Sequence, residues 1–208
     1  MKELTSAEHR LFRRLSSPQK IQDFLDTLAI NHEKRGETCM SPRNVLKTKK
    51  AHCLEAALLA AAVLWYHNEK PLILHLKTVP SDDAHAITLF KKNGYWGALS
   101  KTNHVALRYR DPVYKTVREL ALSYFHEYFL NDKGQKTLRA YSHPMNMRSF
   151  GTKWITSEKN LWHIADALKD AQHVPLAPQK QIRLLRNVGR IERSAGKIVE
   201  WKQSDRRT

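Results

Sequence analysis

The stretch KTKKAHCLEAALLAAAVLWY, residues 47–66, places a cysteine behind three lysines and at the start of an apolar, alanine-rich run. A helix that begins near this cysteine presents unpaired main-chain amides and about half a positive charge at its N-terminus. A thiolate at Cys53 would be stabilised by this dipole and by the lysines, a setting that lowers a cysteine pKa from roughly 8.5. The segment therefore predicts a nucleophilic cysteine, with a small, inert core cysteine as the alternative.

A nucleophilic cysteine needs a base, and the base needs a partner that orients it. His85 is the best candidate for the base, because it begins a predicted strand that follows the cysteine helix and can pack on it. His52 is next to Cys53 in sequence, but it points roughly 100° away around a helix. We therefore expect His52 to have a neighbouring or binding role.

The sequence leaves the residue that orients His85 open. Asn93-Gly94 predicts a tight hairpin, and a loop of either two or three residues brings the polar run 100–103 to His85. Ser100 and Asn103 are the candidates within this run. Asp111 would hold an imidazolium better than either of them, but regular strand pairing does not bring it to His85.

The order of these motifs resembles the transglutaminase-like branch of the papain-like cysteine superfamily. The matching pieces are AHCLEAALLAAAVL, DDAHAITLF, GYWGALS and RDPVY, which lie within roughly residues 45 to 115. The resemblance implies that Cys53 is the nucleophile, that His85 is the base and that an aspartate on the next strand orients His85.

This chain has no aspartate at the position where the family has the residue that orients the histidine. Shortly after Trp96, where the family has its aspartate, this chain has Ser100. Asp111 precedes a proline, as in the family, but it lies 26 residues after His85. We therefore expect Asp111 or Asn103 to orient His85, with Ser100 behind them.

The resemblance also implies a reaction, in which an acyl group of a peptide or amide substrate passes to Cys53 as a thioester. Water or an amine then releases it, and no metal or organic cofactor takes part. Main-chain amides at the start of the cysteine helix are expected to stabilise the oxyanion. We assign His52, Ser100 and Trp96 to oxyanion or substrate binding.

The elements that must position these residues predict an α+β fold. A buried cysteine-bearing helix is expected on a small antiparallel sheet, with additional helices at both ends. We expect a domain over residues 1–172 and a basic helical extension over 173–208. The expected elements are helices at 18–30, 51–66, 117–130 and 158–171, and strands at 72–79, 84–90, 95–100 and 105–110, the last of them ending before Asp111-Pro112.

Charge supports a rival function, namely a non-catalytic binding module for nucleic acid or an acidic protein. The net charge of +16 is uneven: residues 1–50 carry +5, residues 51–132 carry +1 and residues 133–208 carry +10. On one C-terminal helix, basic residues three or four positions apart would form a single stripe. This predicted stripe consists of Lys180, Arg183, Arg186, Arg190 and Arg193.

Other classes of protein are weaker interpretations of this sequence. The chain has only two cysteines, no apolar run of the roughly 20 residues that cross a bilayer and no apolar leader, so we expect a cytoplasmic protein of bacterial type. Cys39, His52, Cys53 and His85 lack the spacing of a structural zinc site, so we expect no metal. The sequence leaves the oligomeric state open.

Overall fold

A computed structural model of the chain describes residues 1, 3–34 and 36–202. Within these residues the expected α+β fold is confirmed, since a buried helix packs on an antiparallel sheet. The helices are α1 (Ser6–Arg14), α2 (Pro18–Thr27), α3 (Pro42–Thr48), α4 (Cys53–Tyr66), α5 (Val117–Ser123), α6 (Trp162–Asp170), α7 (Gln179–Ile182) and α8 (Arg190–Gly196). The strands are β1 (Ala29–Ile30), β2 (Lys50–Ala51), β3 (Leu72–Thr78), β4 (His85–Lys92), β5 (Tyr95–Leu99), β6 (Arg110–Tyr114), β7 (Leu138–Ser142), β8 (Met145–Asn146) and β9 (His173–Pro175). Two short 3-10 helices cover Met147–Phe150 and Lys153–Ile155.

Helix α4 is the cysteine-bearing helix, and its middle, residues 55–64, is buried throughout. It packs mainly on β4, where the Thr88 hydroxyl donates a hydrogen bond to the carbonyl of Ala57 at 2.6 Å. Alanine has no side chain beyond Cβ, so the strand can come this close. The apolar run on all sides of the helix therefore predicts its burial correctly.

The main sheet places its strands in the order β6-β5-β4-β3-β7-β9, with β8 also paired to β3. Helices α1, α2, α3, α4 and α6 share one apolar core on one face, whereas α5 packs into a second core on the other face. The strands β1 and β2 pair separately in parallel, which connects the end of α2 to the start of α4.

The hairpin between β4 and β5 has the two-residue loop that Asn-Gly predicts. Asn93 and Gly94 have φ values of 49° and 87°, as a type I′ turn requires. Lys92 pairs with Tyr95, and Thr88 pairs with Leu99. Continued past the end of β5, this register brings the polar run 100–103 beside the first residue of β4.

Strand β6 lies later in the chain than expected, over 110–114 rather than 105–110. Asp111 and Pro112 are inside it, so the Asp-Pro pair does not end the strand. A proline fits there because β6 is an edge strand and needs fewer donors for the sheet. The expected helix over 117–130 is also shorter, since α5 ends at Ser123.

The domain boundary at residue 173 stays a prediction, but the described residues after it are not all helical. The first of these residues form β9, which pairs with β7 and extends the main sheet. The two helices that follow, α7 and α8, are separated by residues 183–189. The last residues of the expected extension, 203–208, lie outside the described part of the chain.

A membrane-spanning helix is not found: within the described ranges, every helix falls short of the length and hydropathy needed to cross a bilayer.

Gly97 is a tight point in the sheet that carries the site. A Cβ at this position would lie 2.3 Å from the Phe90 ring and 2.8 Å from the carbonyl oxygen of Arg110. We expect Gly97→Ala to lower the free energy of unfolding by about 1–3 kcal/mol, because the strands must move apart. Urea unfolding measures the change. Gly189→Ala is the matched control, since its new Cβ meets only the end of the Glu192 side chain, at 3.3 Å; equal stabilities of the two variants would contradict the prediction.

Candidate active site

The structure brings Cys53 and His85 together at one cleft. Cys53 is the first residue of α4, and His85 is the first residue of β4. The Cys53 thiol is hydrogen-bonded to the imidazoles of His85 and His52. Cys53 and His85 both line a cleft of about 360 Å³. Cys53 is partly exposed as a residue and belongs to the cleft lining, so a substrate in the cleft lies next to it.

The two cysteines of the chain have opposite electrostatic settings. Burial alone raises the pKa of the Cys53 thiol, but the charge of His85 and the hydrogen bonds from His52 and His85 outweigh burial and hold this pKa well below its usual value. Burial, together with the charge of Glu55, raises the pKa of Cys39 to about 12. Cys53 is therefore the thiol whose ionisation is favoured by its surroundings, while Cys39 keeps its proton in the core.

Ser100 is the residue that contacts the other side of the His85 ring. His85 Nε2 lies 2.8 Å from Ser100 Oγ, and the Ser100 hydroxyl donates to the carbonyl of Leu107 at 2.5 Å. Because the serine proton is used on Leu107, Nε2–H must be the donor between His85 and Ser100. The proton is thus fixed on Nε2, which leaves Nδ1 as the ring nitrogen available to the thiol.

Ser100 is itself held by a glutamine from α2. The Gln22 amide nitrogen donates to the carbonyl of Ser100 at 2.8 Å, and the Ser100 amide donates to Gln22 Oε1 at 3.0 Å. Asp26 accepts a further hydrogen bond from the Gln22 amide nitrogen at 2.9 Å. Helix α2 thereby fixes the position of the serine, although it supplies no side chain to the lining of the cleft.

The start of α4 is fixed by Glu55, whose side chain is fully buried. Its carboxylate accepts hydrogen bonds from the Thr38 hydroxyl at 2.7 Å, from the Met40 amide at 2.9 Å, from the His52 amide at 3.0 Å and from Asn31 Nδ2 at 3.1 Å. These bonds connect Asn31, Thr38 and Met40 to the first turn of the helix and so fix the main chain at Cys53.

His52 caps α4 and also interacts with the thiol of Cys53. Nε2–H donates to the carbonyl of Thr38 at 3.0 Å, and Nδ1 accepts from the Leu54 amide at 3.2 Å. Burial lowers the pKa of His52, but Cys53 and then Glu55 raise it to a net value of about 9. The bond from Leu54 requires an unprotonated Nδ1, so the raised pKa reflects the state in which a thiolate draws a proton to that nitrogen.

Tyr128 is a cleft residue that the sequence analysis missed. Its side chain is only 4% exposed, and its hydroxyl has no hydrogen-bond partner among the described residues. Burial, and then the charge of Cys53, raise the pKa of the phenol well above its usual value. The phenol therefore keeps its proton and is available as a donor beside the nucleophile.

A buried lysine lies in the lining of the same cleft. The Lys101 side chain is 1% exposed, burial lowers its pKa, and its ammonium nitrogen has no hydrogen-bond partner in the described part of the chain. The acidic residues Asp82, Asp83 and Glu127 also belong to the lining of this cleft. A substrate in the cleft therefore meets groups of both signs.

Asn103 and Asp111, the two residues expected to orient His85, have other positions. The Asn103 side chain is paired with the main chain of Trp201, through bonds of 2.9 and 2.8 Å. Asp111 is an exposed residue of the edge strand β6. The structure therefore places Ser100, rather than Asn103 or Asp111, against His85.

Trp96, expected at the substrate site, is four residues before Ser100 and pairs with Lys91 and Tyr114 at the far end of β5. The Lys91 ammonium lies 5.0 Å from the centre of its ring. Four residues of strand span roughly 13 Å, which separates the indole from the lining of the cleft. Trp96 therefore contributes to the sheet rather than to the cleft surface.

The predicted basic stripe is divided between two short helices and the coil that joins them. Lys180 is on α7, Arg183 and Arg186 are in the coil, and Arg190 and Arg193 are on α8. The first four are exposed, and Arg193 donates to the carbonyl of Asp132 at 3.0 Å. Binding of an acidic partner by these residues stays a prediction, without the single helical face on which it was based.

Metal ligation has no support in the geometry of the described residues, where no group of three or more His, Cys, Asp or Glu side chains is arranged to hold an ion. A scan against protein-family models and a search of curated proteins give no match for this chain. The chemistry of the cleft is therefore inferred from its own residues and contacts.

The low pKa of Cys53 predicts selective alkylation. We expect iodoacetamide at neutral pH to modify Cys53 and to leave Cys39 unmodified, which peptide mass mapping checks. His85→Ala removes the largest contribution that lowers the thiol pKa, so the pH midpoint of alkylation should move upward and the rate at pH 7 should fall about tenfold or more. Cys39→Ser is the control and should leave the profile unchanged; an unshifted profile in His85→Ala would show that the pair does not interact.

The Ser100 hydroxyl predicts a second effect on the same profile. Ser100→Ala deprives His85 Nε2–H of its acceptor, so the imidazolium loses a charge-assisted hydrogen bond and alkylation at pH 7 should slow by about tenfold. Ser100→Thr keeps a hydroxyl and should retain most of the rate. If the alanine and threonine variants react equally, the serine has no orienting role.

Proposed function

We propose that this chain catalyses acyl transfer or amide hydrolysis through a thioester at Cys53. The observation that carries the proposal is the Cys53–His85 pair, an acidic thiol hydrogen-bonded to an oriented imidazole in an open cleft. The order of the cysteine, histidine and strand motifs, which resembles the transglutaminase-like branch, supports the same chemistry. The serine at the orienting position distinguishes this chain from that pattern.

In the first step, the Cys53 thiolate attacks the carbonyl carbon of an amide, and a carbon–sulfur bond forms while the carbonyl π electrons move to oxygen. The His85 imidazolium then gives its Nδ1 proton to the leaving nitrogen as the carbon–nitrogen bond breaks. An amine leaves, and the acyl group remains on sulfur as a thioester. The hydrogen bond from Nε2–H to Ser100 holds the imidazole ring in one orientation during this proton transfer.

In the second step, neutral His85 takes a proton from water or from an acceptor amine as that molecule attacks the thioester. The carbon–sulfur bond breaks, and sulfur leaves as the thiolate beside the newly formed imidazolium. The product is a carboxylic acid when water attacks and a new amide when an amine attacks. The enzyme returns to its starting charge state.

The oxyanion of both tetrahedral intermediates needs hydrogen-bond donors. Main-chain amides at the start of α4 are the donors expected from the sequence; those of His52 and Leu54 already donate to Glu55 and to the His52 ring, which leaves the Cys53 amide as the main-chain candidate. The Tyr128 hydroxyl is protonated, buried and unpartnered among the described residues, and the Tyr128 residue belongs to the lining of the same cleft. Tyr128 is therefore the side-chain donor that we assign to the oxyanion.

An activated ester tests the function directly. We expect p-nitrophenyl acetate to release a burst of p-nitrophenol equal to the enzyme concentration and to leave an acetyl group on Cys53, as intact-mass measurement would show. Cys53→Ala should give no burst and no adduct. A wild-type chain that alkylates readily but never acylates would contradict the proposal.

Tyr128 separates acylation from alkylation. Acylation passes through an oxyanion, whereas displacement of iodide from iodoacetamide does not, so Tyr128→Phe should slow the burst by about 10²-fold or more and leave alkylation unchanged. Tyr109→Phe is the matched control, because the Tyr109 hydroxyl is also buried and has no partner among residues 1, 3–34 and 36–202, and Tyr109 is not a lining residue of the cleft. Equal burst rates in the two variants would remove Tyr128 from the oxyanion site.

A further inference from the structure

The C-terminal segment 198–201 runs as an added strand beside residues 103–105. His104 and Val199 form an antiparallel bridge. The Val105 amide donates to the carbonyl of Ile198 at 3.3 Å, and the Glu200 amide donates to the carbonyl of Asn103 at 2.9 Å. These two bonds on either side of the bridge are those of an ordinary antiparallel pair.

The Asn103 side chain adds a second pair of bonds to the same main chain. Its Nδ2 donates to the carbonyl of Trp201 at 2.9 Å, and its Oδ1 accepts from the Trp201 amide at 2.8 Å. An asparagine amide can satisfy the donor and the acceptor of one extended residue at once. All four bonds involve the main chain of the segment, so they do not depend on its sequence.

This strand pair borders the cleft that contains the nucleophile. Asn103, His104 and Gly196 line the same cleft as Cys53 and His85. Gly196 comes close to the far wall, since a Cβ there would lie 2.3 Å from Asn131 Oδ1 and 3.0 Å from the Phe129 ring. An extended chain along residues 103–105 therefore passes beside the reactive pair.

Apolar burial holds the segment only in part, because Val199 and Trp201 are half-buried and no residue of 198–201 is fully buried. Ile198 is 58% exposed and Val105 is 48% exposed, and neither α7 nor α8 has a buried residue. Glu200 also forms an ion pair with Arg108 at 3.1 Å, and the two side chains are 34% and 37% exposed. A segment that is held mainly by a few main-chain hydrogen bonds, with no fully buried residue of its own, opens at low free energy.

We propose that residues 103–105 are a binding edge for the extended main chain of a peptide substrate, and that residues 198–201 of this chain occupy it as an internal competitor. Adding a strand to an exposed edge is a general way to bind peptides without reading their sequence. The inference deepens the proposed function, because it names a peptide main chain as the ligand and gives its place beside Cys53.

The tether makes the internal segment a strong competitor. A segment on a short flexible connection has an effective concentration on the order of millimolar at its site. A free peptide that makes the same bonds must exceed that concentration to displace it. Release of the segment should therefore raise both peptide binding and turnover of peptide substrates.

Two full-length variants isolate the main-chain bonds. Glu200→Pro/Trp201→Pro removes the two N–H donors that Asn103 accepts, together with both side chains. Glu200→Ala/Trp201→Ala is the matched control, since it removes the same side chains but keeps both N–H groups. Circular dichroism and thermal unfolding of both variants check that the fold is retained.

The probe is a fluorescein-labelled, N-acetylated peptide with the sequence of residues 196–202, GKIVEWK. We expect fluorescence anisotropy to show binding to the proline variant at least about tenfold tighter than to the alanine variant. Asn103→Ala in the proline variant should abolish this gain. In hydrogen exchange, the Val105 amide should lose protection in the proline variant and recover it when the peptide is added.

Each result bears on the inference separately from the proposed function. Equal peptide affinity in the proline and alanine variants, or peptide binding that leaves the Val105 amide unprotected, would overturn the binding edge even if Cys53 acylates normally. Conversely, peptide binding is measurable in Cys53→Ala, so a chain without catalytic activity could still possess the edge. When both hold, kcat/KM for a peptide ester should rise several-fold in the proline variant, while kcat/KM for p-nitrophenyl acetate stays unchanged.

Discussion

A thiolate in a largely enclosed position needs a cation beside it, and the rest of the site depends on that requirement. Burial opposes ionisation of Cys53, and the imidazole of His85 reverses the effect. The cation is useful only if its ring is held in one orientation, which the Ser100 hydroxyl does through Nε2. Ser100 is in turn fixed by Gln22, and Cys53 by the buried carboxylate of Glu55 at the first turn of α4. Two separate parts of the chain thus converge on one sulfur–nitrogen contact.

The parts of this arrangement that sequence reasoning could predict are the local ones. The all-round apolar pattern of residues 56–64 predicts a buried helix, and Asn93-Gly94 fixes the hairpin register that brings residue 100 near residue 85. Cys53 and His85 follow from these two patterns. Each depends on residues close in sequence, where periodicity and turn chemistry act directly.

The parts that could not be predicted depend on contacts between distant segments. Asn103 is engaged by Trp201, which is 98 residues away, and Gln22 reaches Ser100 across 78 residues. Asp111 lies away from His85 because it belongs to β6, which begins at residue 110. This strand pairs with β5 through a register shift between Trp96 and Ala98. Tyr128 follows the end of α5, and its periodic apolar setting indicated a core residue. The only sequence signal for a role of Tyr128 in the site was its hydroxyl, a polar group within an otherwise apolar pattern.

The site depends on the amide side chain of Gln22, a residue that lies outside the cleft. The same side chain gives a proton to the carbonyl of Ser100 and takes one from its amide, so it has to present nitrogen and oxygen at fixed places. A carboxylate of equal size would set two oxygens against that carbonyl and against Asp26. Exchanging Gln22 for a glutamate of nearly equal size would therefore displace Ser100 and change the orientation of His85. The Cys53 thiolate would become less reactive, although no group that touches a substrate had been changed.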